Sequence, residues 1–417
     1  MRFEMRRLRI DEVPVLGREP VDAETLAAAR EIVTRVRDDE EAVLEYAEQL
    51  DGLTREEPLL LGRRELAAAL AEIDREDRAL LERTAERIES FAIAQKEALE
   101  EVTIEVPGGH AGHEVTPVRV AGCYAPGGRY PLPSSVLMTA VTARAAGVEE
   151  VIVASPKPGP ITRAAAAIAN ADALLCCGGA QAIAAMAYGR GGVPAAATIV
   201  GPGNRWVTAA KQIVSGRISI DMLAGPSELV VLADDSADPA VIAADLLAQA
   251  EHDPQAFPVL IALNEGLIEE VERALFEQLE SLPTREVAEV ALKNGFCLLA
   301  EDRAVAIEAC DRLAPEHLQI MTRDADDWAE RLDHYGALFI GSHSAEVFGD
   351  YGVGPNHTLP TGGTARSFGG LSVFSFLRIR TWLRLDEARP EILEDAARLA
   401  RLEGLEAHAR AAERRKG

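Results

Sequence analysis

Between Val118 and about residue 223, short apolar runs alternate with alanine-rich stretches of helical spacing, and this rhythm constrains the fold more than any other feature of the chain. Strands are legible at 118–123, 150–154, 173–177, 197–200 and 217–222, with helical patterns between most of them. Such alternation predicts an α/β fold built on a parallel, doubly wound sheet. The strand-to-helix turns hold glycine: Ala125-Pro126-Gly127-Gly128, Gly178-Gly179-Ala180-Gln181 and Gly201-Pro202-Gly203-Asn204. In open sheets these turns lie at the carboxyl ends of strands, where glycine lets the backbone approach a phosphate. One such loop is ordinary turn chemistry, but three in one alternating unit favour a nucleotide pocket, although no GxGxxG fingerprint is present. Tyr124 would stack on or hydrogen-bond a cofactor ring there, with Gln181 and Asn204 supplying amides for ribose or phosphate.

The stretch Ile220 to Asp253 reads as strand, turn, strand and helix. Gly225-Pro226 punctuates two apolar runs and holds Ser227 at a strand edge, and Glu228 to Leu232 has the content of a buried strand. Asp238 is an N-cap with Pro239 at the first helical position, and Asp253-Pro254 ends the helix. Gln249 and His252, three residues apart in the last turn, share a face, so an amide oxygen and an imidazole can converge on one metal ion. A polar helix tip is the ordinary reading of such a pair.

A second alternation follows, with strands near 257–263, 296–300, 318–322 and 337–340. Between two of them lies Ala314-Pro315-Glu316-His317, a loop-borne acid beside an imidazole and hence an acid-base pair if the backbone turns there. Residues 341–370 then form a long glycine-rich loop containing Gly349-Asp350-Tyr351 and Asn356-His357-Thr358-Leu359-Pro360, the kind of loop that carries function. From Asp386 the pattern is helical, broken by Gly404.

The first third reads as helical, in segments beginning at Val21-Asp22, at Asp38-Asp39 and at Arg63 and ending near Ala98. The His110-Ala-Gly-His113 pair falls in a glycine-containing loop leading to a short strand. A length of 417 residues with 48% hydrophobic content supplies about two or three domains. A formal charge of −25 would repel nucleic acid and anionic membranes. Five cysteines without a CxxC pair argue against a disulfide framework or a zinc ribbon, and the charged N-terminus lacks a signal peptide's apolar core, so the expectation is a cytoplasmic protein.

Together IDMLAGPSE followed by QAEH, then PEH, GDYGVGPNHTLPT and EGLEAH, make the chain resemble histidinol dehydrogenase from about residue 20 to residue 410. The resemblance implies oxidation of L-histidinol through histidinal to L-histidine, using two NAD in succession and a bound zinc. It implies zinc ligands Gln249, His252, Asp350 and His408; substrate contacts Ser227, Gln249, His252, His317, Asp350, His357, Glu403 and His408; and cofactor contacts Tyr124, Gln181 and Asn204. His317 would take the alcohol proton, and Glu316 would activate the water needed by the second oxidation. Two imidazoles and two oxygen donors without thiolates suit zinc, manganese or cobalt, which leaves the metal open. A homodimer with exchanged C-terminal segments is also implied, so that Glu403 and His408 complete the partner's site.

The architecture expected is two doubly wound, incomplete Rossmann-like parallel-sheet domains with helical N- and C-terminal extensions. The divisions are an arm at 1–20, a first part of the main domain at 21–122, an inserted cofactor-side domain at 123–227, a second part of the main domain with the metal and catalytic residues at 228–378, and a helical C-terminal segment at 379–417. Two rival chemistries remain. Relatives that oxidise other small alcohols, such as sulfopropanediol dehydrogenase, share the zinc core, and Arg129-Tyr130-Pro131-Leu132 departs toward them, whereas the full EGLEAH motif favours histidinol. A thiol-dependent aldehyde dehydrogenase would use Cys123 as nucleophile.

Overall fold

The computed structural model of the chain describes residues 4–17, 21–54, 56–127 and 131–415. Its strands are, in chain order, β1 (Arg7–Leu8), β2 (Leu60–Gly62), β3 (Val102–Val106), β4 (Gly109–Pro117), β5 (Val120–Tyr124), β6 (Glu150–Ala154), β7 (Ala173–Leu175) and β8 (Thr198–Val200). They continue as β9 (Ser219–Ile220), β10 (Glu228–Ala233), β11 (Phe257–Ala262), β12 (Phe296–Leu299), β13 (His317–Met321), β14 (Ala337–Ile340) and β15 (Leu377–Leu385).

The alternation read from the sequence yields two six-stranded sheets, ordered β2-β7-β6-β5-β8-β9 and β1-β12-β11-β10-β13-β14. Neighbours in both are parallel, except β2, which runs antiparallel to β7 at an edge. Strands buried on both faces need unbroken apolar runs, and β5, β10 and β11 are buried at every position. The two-residue period of β10 divides its side chains between two cores: Leu229 and Val231 face one, Val230 and Leu232 the other. In the first sheet's core, Leu174 of β7 and Ile183 of the helix Gly179–Tyr188 are fully buried, and each contributes roughly 1.5–3 kcal/mol of burial free energy.

Local chemistry sets the helix ends. Asp22 accepts from the Thr25 amide to start the helix Ala23–Asp38, whose Val33 and Val36 pack into the first sheet's core. Asp238 accepts from the Ala240 amide and Pro239 opens the helix Pro239–His252, as its sequence predicts. No helix among the described residues is long and apolar enough to cross a membrane.

Three segments differ from the sequence reading. His110 and His113 lie within β4 rather than in a loop, three positions apart on a strand, so they face opposite sides and cannot share an ion. The supposedly all-helical first third also supplies β3, and the C-terminal segment expected to be helical from residue 379 opens inside β15. These strands form an antiparallel sheet, β15-β4-β3. Its pattern was obscured because both faces are largely exposed, so neither face imposes clean apolar alternation.

Strand order places the ligand crevices. From β5 the first sheet proceeds through β6 and β7 on one side and β8 and β9 on the other, leaving a topological switch point between β5 and β8. The loops after β5, β7 and β8 gather there. The second sheet differs: Glu228 and His317 stand at the starts of β10 and β13, so its polar cluster lies at amino ends of parallel strands.

Candidate active site

The polar cluster is assembled from four segments. The helix Pro239–His252 brings Gln249 and His252. The turn into β10 brings Ser227, with Glu228 opening the strand, and the bend into β13 brings Glu316, with His317 opening that strand. The short helix Glu346–Asp350 and the loop after it bring Glu346, Asp350 and His357.

Glu316 is buried and its Oε2 accepts from the Glu228 amide at 2.9 Å. Burial, reinforced by the charges of Glu228 and Asp350, lifts its carboxyl well above the usual carboxylate range, against the pull of the Glu228 amide and the Ser227 hydroxyl. The Nδ1 of His317 lies 3.7 Å from Glu316 Oε2 and 3.0 Å from Glu228 O. A carbonyl only accepts, so Nδ1 carries the proton and Nε2 presents a lone pair. Burial pulls the imidazole down to about 4 and keeps it neutral, while the Asp350 charge opposes that shift. His317 Nε2 stands 3.8 Å from Asp350 Oδ1. His357 is held in the same tautomer: its Nδ1 donates to Asp350 O at 3.1 Å, and its Nε2 lies 3.4 Å from the Ser135 hydroxyl.

Gln249 is fully buried. With its amide oriented to donate, the nitrogen lies 3.2 Å from each Glu346 oxygen and 3.3 Å from Glu228 O, which leaves the amide oxygen as an acceptor for another group. His252, 40% exposed at its side chain, places Nε2 3.6 Å from Asp350 Oδ2 and 4.0 Å from Glu346 Oε1. Ligand atoms of His252, Glu346 and Asp350 all fall within 4.8 Å of one another. Burial, with the charges of Asp350, Glu316 and Asp245, pushes Glu346 well above its ordinary value. Carboxyls packed this closely need protons or a cation between them, and the oxygen and imidazole donors fit a divalent ion of the zinc, manganese or cobalt kind.

Glu346 was not singled out in the sequence. Its spacing from Asp350, one helical turn, was the available signal, but a five-residue helix inside a glycine-rich loop has too little periodicity to read. Glu403, which caps the helix Pro390–Leu402, and His408, on the helix Glu406–Glu413, are exposed; the two helices pack chiefly on each other, and neither side chain has a described polar contact with the cluster of its own chain.

The glycine turns of the first sheet enclose a cavity of about 460 Å³ lined by Tyr124, Gln181, Asn204, Trp206 and Asp51. The Tyr124 hydroxyl accepts from the Gly179 amide at 3.2 Å. Asn204 caps the helix Arg205–Val214 through its side chain. Gln181 is buried and donates to Asp51, a residue that gave no sequence signal because it ends a helical segment far from the glycine loops. A larger cavity, about 940 Å³, is lined by His252, Tyr351, Ser134, Pro131 and Leu132 and shares Pro126 with the first, so the two adjoin. Of the departing segment, Arg129 and Tyr130 lie outside the described residues. Cys123 is buried in β5 with its thiol pushed up to about 12 by desolvation, which leaves no thiolate for nucleophilic attack.

The sequence pattern of the family described as histidinol dehydrogenase matches residues 18–416. Histidinol dehydrogenase of Thermus thermophilus is 45% identical over 390 residues, covering 93% of each chain. That of Aquifex aeolicus is 41% identical over 402 residues, covering 95% of this chain and 94% of the relative. The crystal structure of histidinol dehydrogenase from Elizabethkingia anophelis superposes with a TM-score of 0.91 at 30% identity, covering 100% of this chain and 98% of that one. In sequence and in three dimensions the chain follows these proteins almost from end to end, and it belongs to the histidinol dehydrogenase family of oxidoreductases.

Proposed function

We propose that this protein oxidises L-histidinol through L-histidinal to L-histidine, a four-electron change using two NAD in succession and one zinc ion per subunit, in the last steps of histidine synthesis. The observation that carries this reading is the convergence of His252, Glu346 and Asp350, with Gln249 held against Glu346, beside the Glu316–His317 pair, next to a cavity that adjoins the one lined by Tyr124 and Gln181. Family membership supports it.

Gln249, His252 and Asp350 would hold the zinc, with His408 of the partner subunit as fourth ligand. When bound, zinc supplies fixed positive charge that orients the substrate's nitrogen donors, and NAD supplies the hydride acceptor. Tyr124, Gln181 and Asn204 bind the cofactor. His317 acts first as base: Nδ1–H is committed to Glu228 O, so Nε2 takes the carbinol proton, and the nearby Asp350 carboxylate stabilises the imidazolium that results. Glu316 acts in the second oxidation, taking a proton from the water that adds to the aldehyde carbon. A carboxyl lifted above its usual range holds an accepted proton more firmly than an ordinary glutamate does. His357, fixed by Asp350 O and Ser135, lines the substrate side with Ser227, and Glu403 of the partner subunit completes it. The protein therefore works as a homodimer with exchanged C-terminal segments.

The test is NADH formation from histidinol by purified protein, before and after chelation. About two NADH per histidinol, abolished by chelation and restored by zinc, is expected, because the substrate is held through the metal. Metal-independent turnover, or preference for sulfopropanediol, would overturn the assignment.

A further inference from the structure

The cavity beneath Tyr124 contains a carboxylate that the proposed chemistry does not use. Asp51 closes the helical segment Ala47–Asp51, outside the first sheet's own alternation, and reaches the turn that follows β7. Its Oδ2 accepts from the Gly178 amide at 2.9 Å and from Gln181 Nε2 at 3.0 Å. Both bonds fall on one oxygen. They fix the plane of the carboxylate and leave Oδ1 with no donor among the described residues, on a residue that lines the cavity. Burial raises the carboxyl, and the two N–H donors and Lys157 oppose that rise.

We propose that Asp51 selects NAD over NADP, its carboxylate accepting hydrogen bonds from the hydroxyls of a bound ribose and repelling a phosphate placed on them; this rests on the reading of the Tyr124 cavity as the coenzyme site. A half-desolvated carboxylate is an acceptor without a donor of its own, so the ligand atoms that complement it are hydroxyls. A dianionic 2′-phosphate in the same place meets a like charge where screening is weak.

The surroundings sharpen the argument. In dinucleotide-binding sheets an acidic residue that accepts from the ribose decides between the two coenzymes. In this chain the neighbour of β5 on the side away from the switch point is β6, and the turn after it carries Pro156 and Lys157, not an acid. Lys157 adopts a left-handed backbone with φ 45°. Its Nζ packs against Gly52, where a Cβ would lie only 3.2 Å away, and its charge acts on the Asp51 carboxylate. Asp51 thus supplies from the N-terminal helices the acid that the turn after β6 lacks, and Lys157 lies near enough for its charge to reach the same carboxylate. Loss of the carboxylate alone should turn the preference toward NADP.

The experiment is calorimetric titration of the purified dimer with NAD+ and with NADP+, paired with KM for each. The wild type should bind NADP+ at least about a hundredfold more weakly than NAD+, the scale of a lost charge-assisted hydrogen bond plus repulsion. Asp51→Asn preserves shape and should weaken NAD+ by about tenfold while strengthening NADP+, so that the ratio of the two dissociation constants collapses. Adding Lys157→Ala to Asp51→Asn should remove the gained NADP+ affinity. A purely structural role for Asp51, holding the Gly178 turn and Gln181, would weaken both nucleotides alike and leave the ratio intact, and that result overturns the inference while the coenzyme cavity stands. If Tyr124→Ala and Gln181→Ala leave NAD+ affinity unchanged, the cavity is not the coenzyme site and both readings fall.

Discussion

Replacing Glu316 by glutamine separates its chemistry from its packing. The glutamine oxygen can still accept from the Glu228 amide, now 2.9 Å from Oε2, so the bend before β13 should persist. What disappears is proton acceptance. A positioned general base is worth about 10²–10⁴ in rate, or roughly 3–5 kcal/mol of barrier, and only the aldehyde step needs an activated water. Single-turnover measurement of NADH should therefore show histidinal oxidation slowed by at least about a hundredfold, while the first oxidation, assigned to His317, stays near wild type. Stability should move the other way. The folded-state pKa of Glu316 is raised, so its relative stabilisation is complete below the ordinary glutamate value of 4.5 and is lost as pH rises toward the folded value. In metal-free protein, where no cation offsets the charge, Glu316→Gln should melt above wild type, and the margin should widen as pH climbs from about 4.5 toward neutrality. Equal damage to both oxidations would mean the two roles are wrongly divided, and a melting temperature below wild type at neutral pH would show that the carboxylate is held more favourably than its neighbours imply.

Further outcomes follow from the same geometry. Glu346→Leu removes the acceptor that orients the Gln249 amide, so zinc affinity measured by chelator competition should fall about ten- to a hundredfold, and the absorption spectrum of the cobalt-loaded protein should change; unaltered affinity would exclude the orienting role. Cys123→Ser should retain most activity and lose some thermal stability, because a buried thiol becomes a hydroxyl; loss of activity in a folded variant would revive the thiol route. Subunits carrying His252→Ala mixed with subunits carrying His408→Ala, each inactive alone, should recover about a quarter of wild-type activity after subunit exchange, since about half the dimers are mixed and each holds one intact shared site. Recovery of nothing after verified exchange would place His408 in its own chain's site.

Much of the architecture was legible because it rests on local, repetitive physics. Buried parallel strands must be continuously apolar and their crossovers helical, so β6, β10 and β14 could be read nearly to the residue, as could the Asp238-capped helix that presents Gln249 and His252. The antiparallel β15-β4-β3 sheet was not legible: its faces are too exposed to write a burial pattern, and β15 joins β4 across more than two hundred residues of chain. Motif spacing likewise singled out Glu316, His317 and Asp350, which carry their own signals in proline bends and glycine loops. Glu346 and Asp51 had none, because a carboxylate acquires its importance from what burial places beside it. Only the tertiary structure, by bringing Glu346 against Gln249 and Asp51 against Gly178 and Gln181, decided that these two acids out of many belong to the crevices. Desolvation and neighbouring charge are properties of a place in the fold, and a sequence assigns residues to such places only through contacts it does not spell out.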